Sequence, residues 1–265
     1  MEQTDPFIGF VDSNGIGIYY EIHGAGQPLV LLHGGGSTIE TTFGIVLPLF
    51  AKHRKVIAVE LQAHGHTADR KTATSFEQDA DDVSAVLKEL QIEKADIFGF
   101  SNGGNTAMQL AIRHPSLVRK LVIASTFYKR NAFDDMFWTF MQGASLDNMP
   151  QQLKDAYLAI NADQEGLIAM HNRDRDRMVN FTDWPDEVIR SIHVPTLIVS
   201  ADRDVVSPEH QIEMYRLLPK AELVILPGVH GEYIGEITTP KPTNERLALT
   251  VNLIEEFLDS NYTNE

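Results

Sequence analysis

The stretch IFGFSNGGNTAMQLAIRHP, residues 97–115, decides the fold because its hydrophobic pattern changes at a single serine. The residues before Ser101 are the apolar end of a short strand, and residues 102–114 have the periodicity of a helix. Gly99 and Gly103 flank the serine, so the segment fits the pattern G-x-S-x-G. A serine on a strained strand-to-helix turn presses against these two positions, where only very small residues fit. The pattern predicts a nucleophilic hydroxyl above the carboxyl edge of a sheet.

Short apolar runs alternate with amphipathic helical segments on both sides of this stretch. Near the start, Asn14-Gly15 joins two extended runs and predicts an antiparallel hairpin. Buried strands are predicted at residues 28–33, 55–61, 95–100, 120–125, 195–201 and 221–228, with helices at 75–90, 102–114, 208–218 and 244–258. Parallel strands need crossover connections, so this alternation predicts an α/β fold with helices on both faces of a mostly parallel eight-stranded sheet.

The alternation stops in the middle of the chain, where residues 127–192 have helical pattern but no buried strand. We therefore predict a core domain of residues 1–126 and 193–265 and a helical cap, or lid, at residues 127–192. Aromatic residues are concentrated at the start of the cap, where they would line a pocket over Ser101, anchor the cap to the core, or do both. Phe137 and Trp138 are the predicted pocket contacts.

Composition excludes several classes of function. The net charge of −15 disfavours binding to nucleic acid or to an anionic membrane. The chain has no cysteine, so disulfides, thiolate metal sites and a cysteine nucleophile are ruled out. It has no apolar run of roughly 20 residues and no signal-peptide pattern, so we expect a cytoplasmic protein. The sequence leaves the oligomeric state open.

Candidate partners for Ser101 follow two later strands. A serine hydroxyl is a weak nucleophile that needs a base, and the base needs an orienting acid. Asp202 and Asp204 follow one predicted strand, and His230 follows the last one, immediately before a glycine. The chain order is therefore serine, aspartate, histidine. We assign surface or capping positions to most other histidines, including His210.

With these motifs the chain resembles the α/β-hydrolase superfamily over nearly its whole length, as a serine hydrolase with a helical cap. In that family the catalytic acid usually lies about four residues before a proline, so the resemblance favours Asp204, four residues before Pro208. Asp202 is the alternative, with a structural role in the loop. The predicted triad is Ser101, Asp204 and His230.

The glycine-rich segment LLHGGGS, residues 31–37, follows the first buried strand and lets backbone N–H groups turn inward. The family pairs one such N–H with that of the residue after the nucleophile. The resemblance therefore implies an oxyanion hole from Gly35 and Asn102, with Gly34 as an alternative to Gly35 and as a pocket residue. Many small-molecule members have an aromatic residue where Gly35 stands, so we expect a roomier acyl site. His33 is interpreted as structural.

The resemblance implies hydrolysis through an acyl-enzyme intermediate, with no metal and no organic cofactor. The expected partner is a small-molecule carboxylic ester, or a related lactone or thioester. Two alternatives remain open: carbon–carbon bond hydrolysis by the same apparatus, and a slow-turnover ligand receptor or signalling protein with an intact triad. Dehalogenases and epoxide hydrolases of this fold are disfavoured, because they have aspartate where Ser101 stands.

Two charged motifs are set aside. AHGHTAD, residues 63–69, resembles the start of a binuclear metal site, but Arg70 occupies the place of the further histidine that such a site needs. We interpret it as the turn that commonly follows this strand in the family. HNRDRDRM, residues 171–178, alternates charge within the cap and is interpreted as a solvated helix face.

Overall fold

The computed structural model describes residues 5–261 and places eight strands in one sheet. The strands are β1 (Phe7–Ser13), β2 (Ile16–His23), β3 (Gln27–Leu32), β4 (Arg54–Val59), β5 (Ala95–Phe100), β6 (Val118–Ala124), β7 (Thr196–Arg203) and β8 (Ala221–Val229). Their order across the sheet is β1-β2-β4-β3-β5-β6-β7-β8. The strand β2 is antiparallel to both its neighbours, and all other neighbouring strands are parallel. The predicted fold class is confirmed.

The two N-terminal strands form the predicted hairpin. Asn14 and Gly15 have φ values of 49° and 83°, and this pair of left-handed residues makes the turn that matches the twist of the strands. The two strands pair from Ser13 opposite Ile16, next to the turn, to Phe7 opposite Ile22.

The helices are α1 (Ile39–Phe43), α2 (Leu47–Phe50), α3 (Phe76–Glu89), α4 (Asn102–Arg113), α5 (Asp135–Gln142), α6 (Gln151–Ile160), α7 (Gln164–Val179), α8 (Asp186–Arg190), α9 (Pro208–Leu217) and α10 (Asn244–Asp259). The four predicted helices are α3, α4, α9 and α10, while the short α1 and α2 were not predicted. The hydroxyl of Ser75 accepts a hydrogen bond from Gln78 N–H and so determines where α3 begins. No helix within residues 5–261 is long and apolar enough to cross a membrane.

The parallel strands bury side chains on both faces, which explains their continuous apolar runs. In β3, Val30 and Leu32 pack in the core on the side of α3 and α4, and Leu29 and Leu31 pack on the side of α1, α2 and α10. All four side chains are fully buried. The sheet is thereby held rigidly between helices, and its carboxyl edge supports the site described next.

Helices α5 to α8 lie between β6 and β7, and the described residues of this segment include no strand. The segment therefore has the helical content predicted for residues 127–192. The division into a core of 1–126 and 193–265 and a cap of 127–192 stays a prediction.

Candidate active site

Ser101 lies on a strained turn between β5 and α4. Its backbone has φ 53° and ψ −123°, a conformation that side-chain-bearing residues rarely adopt. A Cβ on Gly99 would overlap the carbonyl of Gly103, and a Cβ on Gly103 would overlap the carbonyl of Leu32. The turn is held by Ser101 N–H, which donates to Ala124 O at 2.8 Å. Both motif glycines are therefore required sterically, as the sequence pattern predicts.

Asp204 and His230 lie beside each other after the neighbouring strands β7 and β8. His230 Nδ1 is 2.6 Å from Asp204 Oδ1, so the imidazole donates to a fully buried carboxylate. Val206 N–H also donates to this carboxylate, at 3.2 Å. Asp202 lies elsewhere: it accepts a hydrogen bond from Gly228 N–H at 2.8 Å and braces the start of the histidine loop. The geometry therefore favours Asp204 over Asp202 as the partner of His230.

Ser125 and Tyr233 were not foreseen. Ser125 follows β6, donates to Asp204 Oδ2 and lies 2.6 Å from the buried hydroxyl of Tyr233. Since a carboxylate only accepts, the chain runs from the Tyr233 hydroxyl through Ser125 to Asp204. Ser125 has φ 49°, a second left-handed residue at this sheet edge. Its position at the carboxyl end of a predicted strand was the only available signal.

The surroundings of the pair shift the pKa values of His230 and Asp204 in opposite directions. Burial acts to lower the pKa of His230, but the Asp204 carboxylate and, more weakly, Glu236 outweigh it and raise the pKa above its usual value. Burial acts to raise the pKa of Asp204, but His230 and the Ser125 hydroxyl hold the pKa below its usual range. The pair is therefore charged more readily than two isolated groups would be.

Ser101 and His230 line the same cavity. The hydrogen bonds of residues 5–261 include none between the serine hydroxyl and the imidazole. Such bonds are often long in free enzymes and tighten when substrate binds.

The predicted oxyanion donors lie beside the serine. Gly35 and Asn102 line the cavity with Ser101, and within residues 5–261 neither backbone N–H has a protein acceptor. The N–H of Gly34 donates instead to Thr42 Oγ1 at 3.3 Å, which leaves Gly35 as the better candidate. A Cβ at Gly35 would come within 3.1 Å of Asp174 Oδ2 and would overlap the side-chain amide of Asn102, so a side chain there would displace Asn102. The expected roomier acyl site is instead partly occupied by Asn102 and Asp174.

The cavity has a volume of about 410 Å³ and lies between the sheet edge and the cap helices. Phe137 lines it as predicted, whereas Gly34 and Trp138 do not. Gly34 faces the ring of Phe100 beneath the turn. Trp138 is buried within the cap segment instead, where its indole N–H donates to Arg130 O at 2.9 Å. The apolar side chains of the wall are Phe127, Phe133, Phe137, Phe140, Met141, Ala144, Met149, Pro150, Leu153, Met178 and Val205.

The interpretation of residues 171–178 as a solvated face is wrong. Asp174 and Arg177 are both 8% exposed, and Asp174 lines the cavity together with His171 and Arg175. Asp174 Oδ2 lies 2.9 Å from His64 Nε2 and accepts from Gly36 N–H at 2.5 Å. Alternating charge on a helix does not show which distant partners its side chains have. Here Arg177 pairs with Asp79 of α3, and Asp174 pairs with the glycine loop.

The histidines and the aspartate of residues 63–69 each contact a different partner. His64 contacts Asp174, His66 Nδ1 lies 2.9 Å from Glu60 Oε2, and Asp69 pairs with Arg173 at 3.0 Å. Within residues 5–261 no group of three or more metal-ligating side chains is arranged to hold an ion.

Two further histidines are buried. His33 accepts from Leu61 N–H at 3.1 Å, and its Nδ1–H donates to Gly34 O at 2.8 Å, so it braces the glycine loop as predicted. Burial lowers the pKa of His33 to about 3. His210 was expected in a surface or capping position, but it is buried, and its Nε2 accepts from Tyr128 N–H at 3.2 Å.

A sequence profile of the alpha/beta hydrolase fold matches residues 27–170, more than half of the chain. The chain belongs to the alpha/beta hydrolase fold family. This confirms the resemblance inferred from the serine motif and supports the assignment of this alpha/beta hydrolase as a hydrolytic enzyme.

Two curated relatives of this alpha/beta hydrolase are named as hydrolases, one of a muconate semialdehyde and one of a dienoic acid. It is 41% identical over 113 residues to 2-hydroxymuconate semialdehyde hydrolase of Pseudomonas sp. strain CF600, a match that spans 40% of each chain. It is 26% identical over 220 residues, 75% of each chain, to 2-hydroxy-6-oxo-6-(2'-aminophenyl)hexa-2,4-dienoic acid hydrolase of Metapseudomonas resinovorans.

Solved structures share the fold of this alpha/beta hydrolase over almost its whole length. The meta-cleavage product hydrolase of Pseudomonas fluorescens IP01 has a TM-score of 0.77 at 22% identity, covering 97% of this chain and 98% of its own. Est816, described as an N-acyl homoserine lactone degrading enzyme, has a TM-score of 0.71 at 26% identity, covering 94% of this chain and 99% of its own.

Proposed function

We propose that this protein is a serine hydrolase that cleaves a carbon–carbon bond beside the carbonyl of a small unsaturated keto acid. The observation that carries the proposal is the make-up of the cavity. Its wall is mainly aromatic and aliphatic, and α7 adds the cationic Arg175, the polar His171 and Asp174, whose carboxylate is already paired with Arg177. An acid with an apolar end and a carboxylate end matches such a cavity, because guanidinium groups bind carboxylates through charge-assisted hydrogen bonds. The names of the two relatives support this substrate class.

In the proposed reaction Ser101 Oγ attacks the carbonyl carbon while His230 takes its proton. The N–H groups of Gly35 and Asn102 stabilise the oxyanion, and Asp204 stabilises the imidazolium. The dienol first takes its keto form, in which its hydroxyl proton has moved to the carbon beside the carbonyl and that carbon is saturated. The bond between this carbon and the carbonyl carbon then breaks, its electron pair passes into the conjugated dienolate of the departing keto acid, and the dienolate oxygen takes the proton from His230. Water hydrolyses the acyl ester on Ser101. One water is consumed, and the products are a carboxylic acid and a shortened hydroxydienoate.

Ester hydrolysis, or lactone hydrolysis, is the second candidate. It is favoured by the likeness to Est816 and by the fact that the same serine, base and oxyanion donors serve acyl transfer from oxygen. An oxygen leaving group accepts the proton from the imidazolium directly, so ester cleavage demands less of the cavity than carbon–carbon cleavage.

A comparison of kcat/KM for a dienoic acid and for a simple ester tests the proposal. We expect kcat/KM for 2-hydroxy-6-oxo-6-(2'-aminophenyl)hexa-2,4-dienoic acid, followed by loss of its conjugated absorbance, to exceed that for p-nitrophenyl acetate by about tenfold or more. Ser101→Ala should abolish both activities while the circular dichroism spectrum is retained.

Three results would count against the proposal. Turnover of esters and lactones alone would replace it with the second candidate. Undiminished turnover by the Ser101→Ala variant would overturn the serine mechanism. Ligand binding without turnover of any substrate would favour the receptor alternative.

Arg175 gives a second test at the carboxylate end. Arg175→Ala should raise KM for the dienoic acid by about tenfold, because it removes a charge-assisted hydrogen bond. The neutral p-nitrophenyl acetate should be turned over with an unchanged KM. Equal effects on both substrates would contradict carboxylate recognition by Arg175.

A further inference from the structure

The charged segments at residues 63–69 and 171–178 meet at the glycine loop, residues 34–36. Asp174 comes from the cap helix α7, His64 from the loop after β4, and Gly36 from the loop after β3. None of these residues belongs to the predicted triad, yet Asp174 and Gly36 line the same cavity as Ser101.

Asp174 uses both carboxylate oxygens. Oδ2 accepts from Gly36 N–H at 2.5 Å and faces His64 Nε2 at 2.9 Å, and Oδ1 accepts from Arg177 at 2.6 Å. Arg177 also donates to the buried Asp79 on α3 at 2.6 Å. The side chains of Asp174, His64, Arg177 and Asp79 are buried and Gly36 is half-buried, so solvent screens these contacts little.

The anchored groups bracket the proposed oxyanion donor. The N–H of Gly34 is held by Thr42 from α1. The N–H of Gly36 is held by Asp174 from the cap at 2.5 Å and has a longer contact of 3.2 Å with His64 Nε2. Between them lies Gly35, whose N–H is free to face the reacting carbonyl. A run of three glycines has wide conformational freedom, so the direction of this N–H depends on both anchors.

The charge of Asp174 does not oppose an oxyanion as an isolated carboxylate would. Two groups surround it: the guanidinium of Arg177, and His64, whose pKa is lowered by burial but raised more by Asp174. Both oxygens of Asp174 therefore have partners, and one of these, Arg177, is shared with Asp79.

We propose that Asp174 is a positioning residue that completes the oxyanion hole: it binds Gly36 N–H and so directs the neighbouring Gly35 N–H. The inference rests on the serine mechanism proposed above. The site is then competent only when α7 is docked on the glycine loop, so the cap supplies part of the catalytic geometry as well as a roof for the substrate.

Paired ketone inhibitors test this role. A trifluoromethyl ketone adds to the serine and forms an oxyanion, whereas the matching methyl ketone binds with little addition. We expect the wild-type preference for the trifluoromethyl ketone to fall by about tenfold or more in Asp174→Ala, less than the loss of a direct donor. Asp174→Asn, which retains an acceptor oxygen, should show a smaller loss. The methyl ketone should bind all variants about equally.

The control is Asp155→Ala, which removes an exposed cap carboxylate on α6 that accepts a hydrogen bond from Gln151. It should keep the wild-type preference. An equal loss of affinity for both ketones in Asp174→Ala would show that Asp174 merely anchors the cap, and an unchanged preference would also overturn the inference. A wild-type protein that binds both ketones equally would overturn the serine mechanism and this inference together. Failure to cleave dienoic acids would affect only the substrate proposal.

Discussion

At the scale of single residues, the site depends on positions where no larger side chain fits. The strained backbone of Ser101 exists because Gly99 and Gly103 let the strand and the helix approach closely. Strain of this kind persists only where the surrounding structure holds it, and here β5 and α4 are both buried.

Gly99→Ala should therefore be costly. Its Cβ would overlap backbone atoms of Gly103 and Gly104, which cannot rotate away. We expect the free energy of unfolding to fall by about 1–3 kcal/mol and the esterase or dienoate activity to be lost. Gly143→Ala is the control, since its Cβ would meet Thr139 O at 3.7 Å, an ordinary contact. Urea denaturation of both variants measures the difference, and equal effects would contradict the steric argument.

Protonation of His230 should set the acid limb of the pH–activity profile. The base must be neutral to accept the serine proton, so activity falls as pH drops through its pKa. Because Asp204 outweighs burial and raises this pKa, the acid limb should lie above the usual value for histidine. Asp204→Asn should move the limb to lower pH and reduce kcat by up to about 10⁴-fold. The kcat/KM profile of the free enzyme checks the sign, and a limb that moves to higher pH would contradict it.

At the scale of elements, the ends of parallel strands bring distant residues together. Ser101, Ser125, Asp204 and His230 follow β5, β6, β7 and β8, which are neighbours in this order. Each side chain needs only a short loop to reach the same sheet edge, which is where open α/β sheets place their ligands.

Helix α5 divides its aromatic residues between two roles. Phe137 faces the cavity and stacks on Phe133 with ring centroids 4.0 Å apart, while Trp138 packs inside the cap under the guanidinium of Arg130. Phe137→Ala should enlarge the cavity and raise kcat/KM for p-nitrophenyl octanoate relative to the acetate. Trp138→Ala should leave this ratio unchanged and cost about 3–5 kcal/mol in unfolding free energy. A reversed pattern would mean that Trp138 contacts the substrate.

At the scale of the whole molecule, buried ion pairs tie the cap segment to the core. Arg177 on α7 joins Asp174 to Asp79, a residue of α3 beneath it. Burial raises the pKa of Asp79 to about 6, although Arg177 opposes this rise. The pair is stable only while both partners remain, since a buried carboxylate without its cation is strongly destabilising.

Arg177→Met should accordingly lower the free energy of unfolding by about 3–5 kcal/mol at pH 8. The loss should shrink below pH 6, because Asp79 is then protonated and needs a cation less. Arg175→Met is the control: its pair with Asp176 is partly exposed, so we expect about 1 kcal/mol or less. Chemical denaturation at several pH values measures both, and a loss that grows toward acidic pH would contradict this account.

The sequence by itself determined the sheet, its helices, the strained serine turn and the order of the candidate triad. These depend on local properties: buried strands are apolar throughout, amphipathic helices repeat every 3.6 residues, and a sharp turn excludes a Cβ. They persist whatever else packs against them, which is why the ends of β5, β7 and β8 were predicted nearly to the residue.

Only the tertiary structure decided that Asp174 lies against Gly36, that Ser125 and Tyr233 support Asp204, and that Trp138 faces away from the cavity. A charged or aromatic side chain looks the same in the sequence whether it faces solvent, a partner or a substrate. Its role depends on which distant segment packs against it, and burial then makes each such contact strong. The cap segment has no repeating strand pattern to constrain that packing, so its functional residues become visible only in three dimensions.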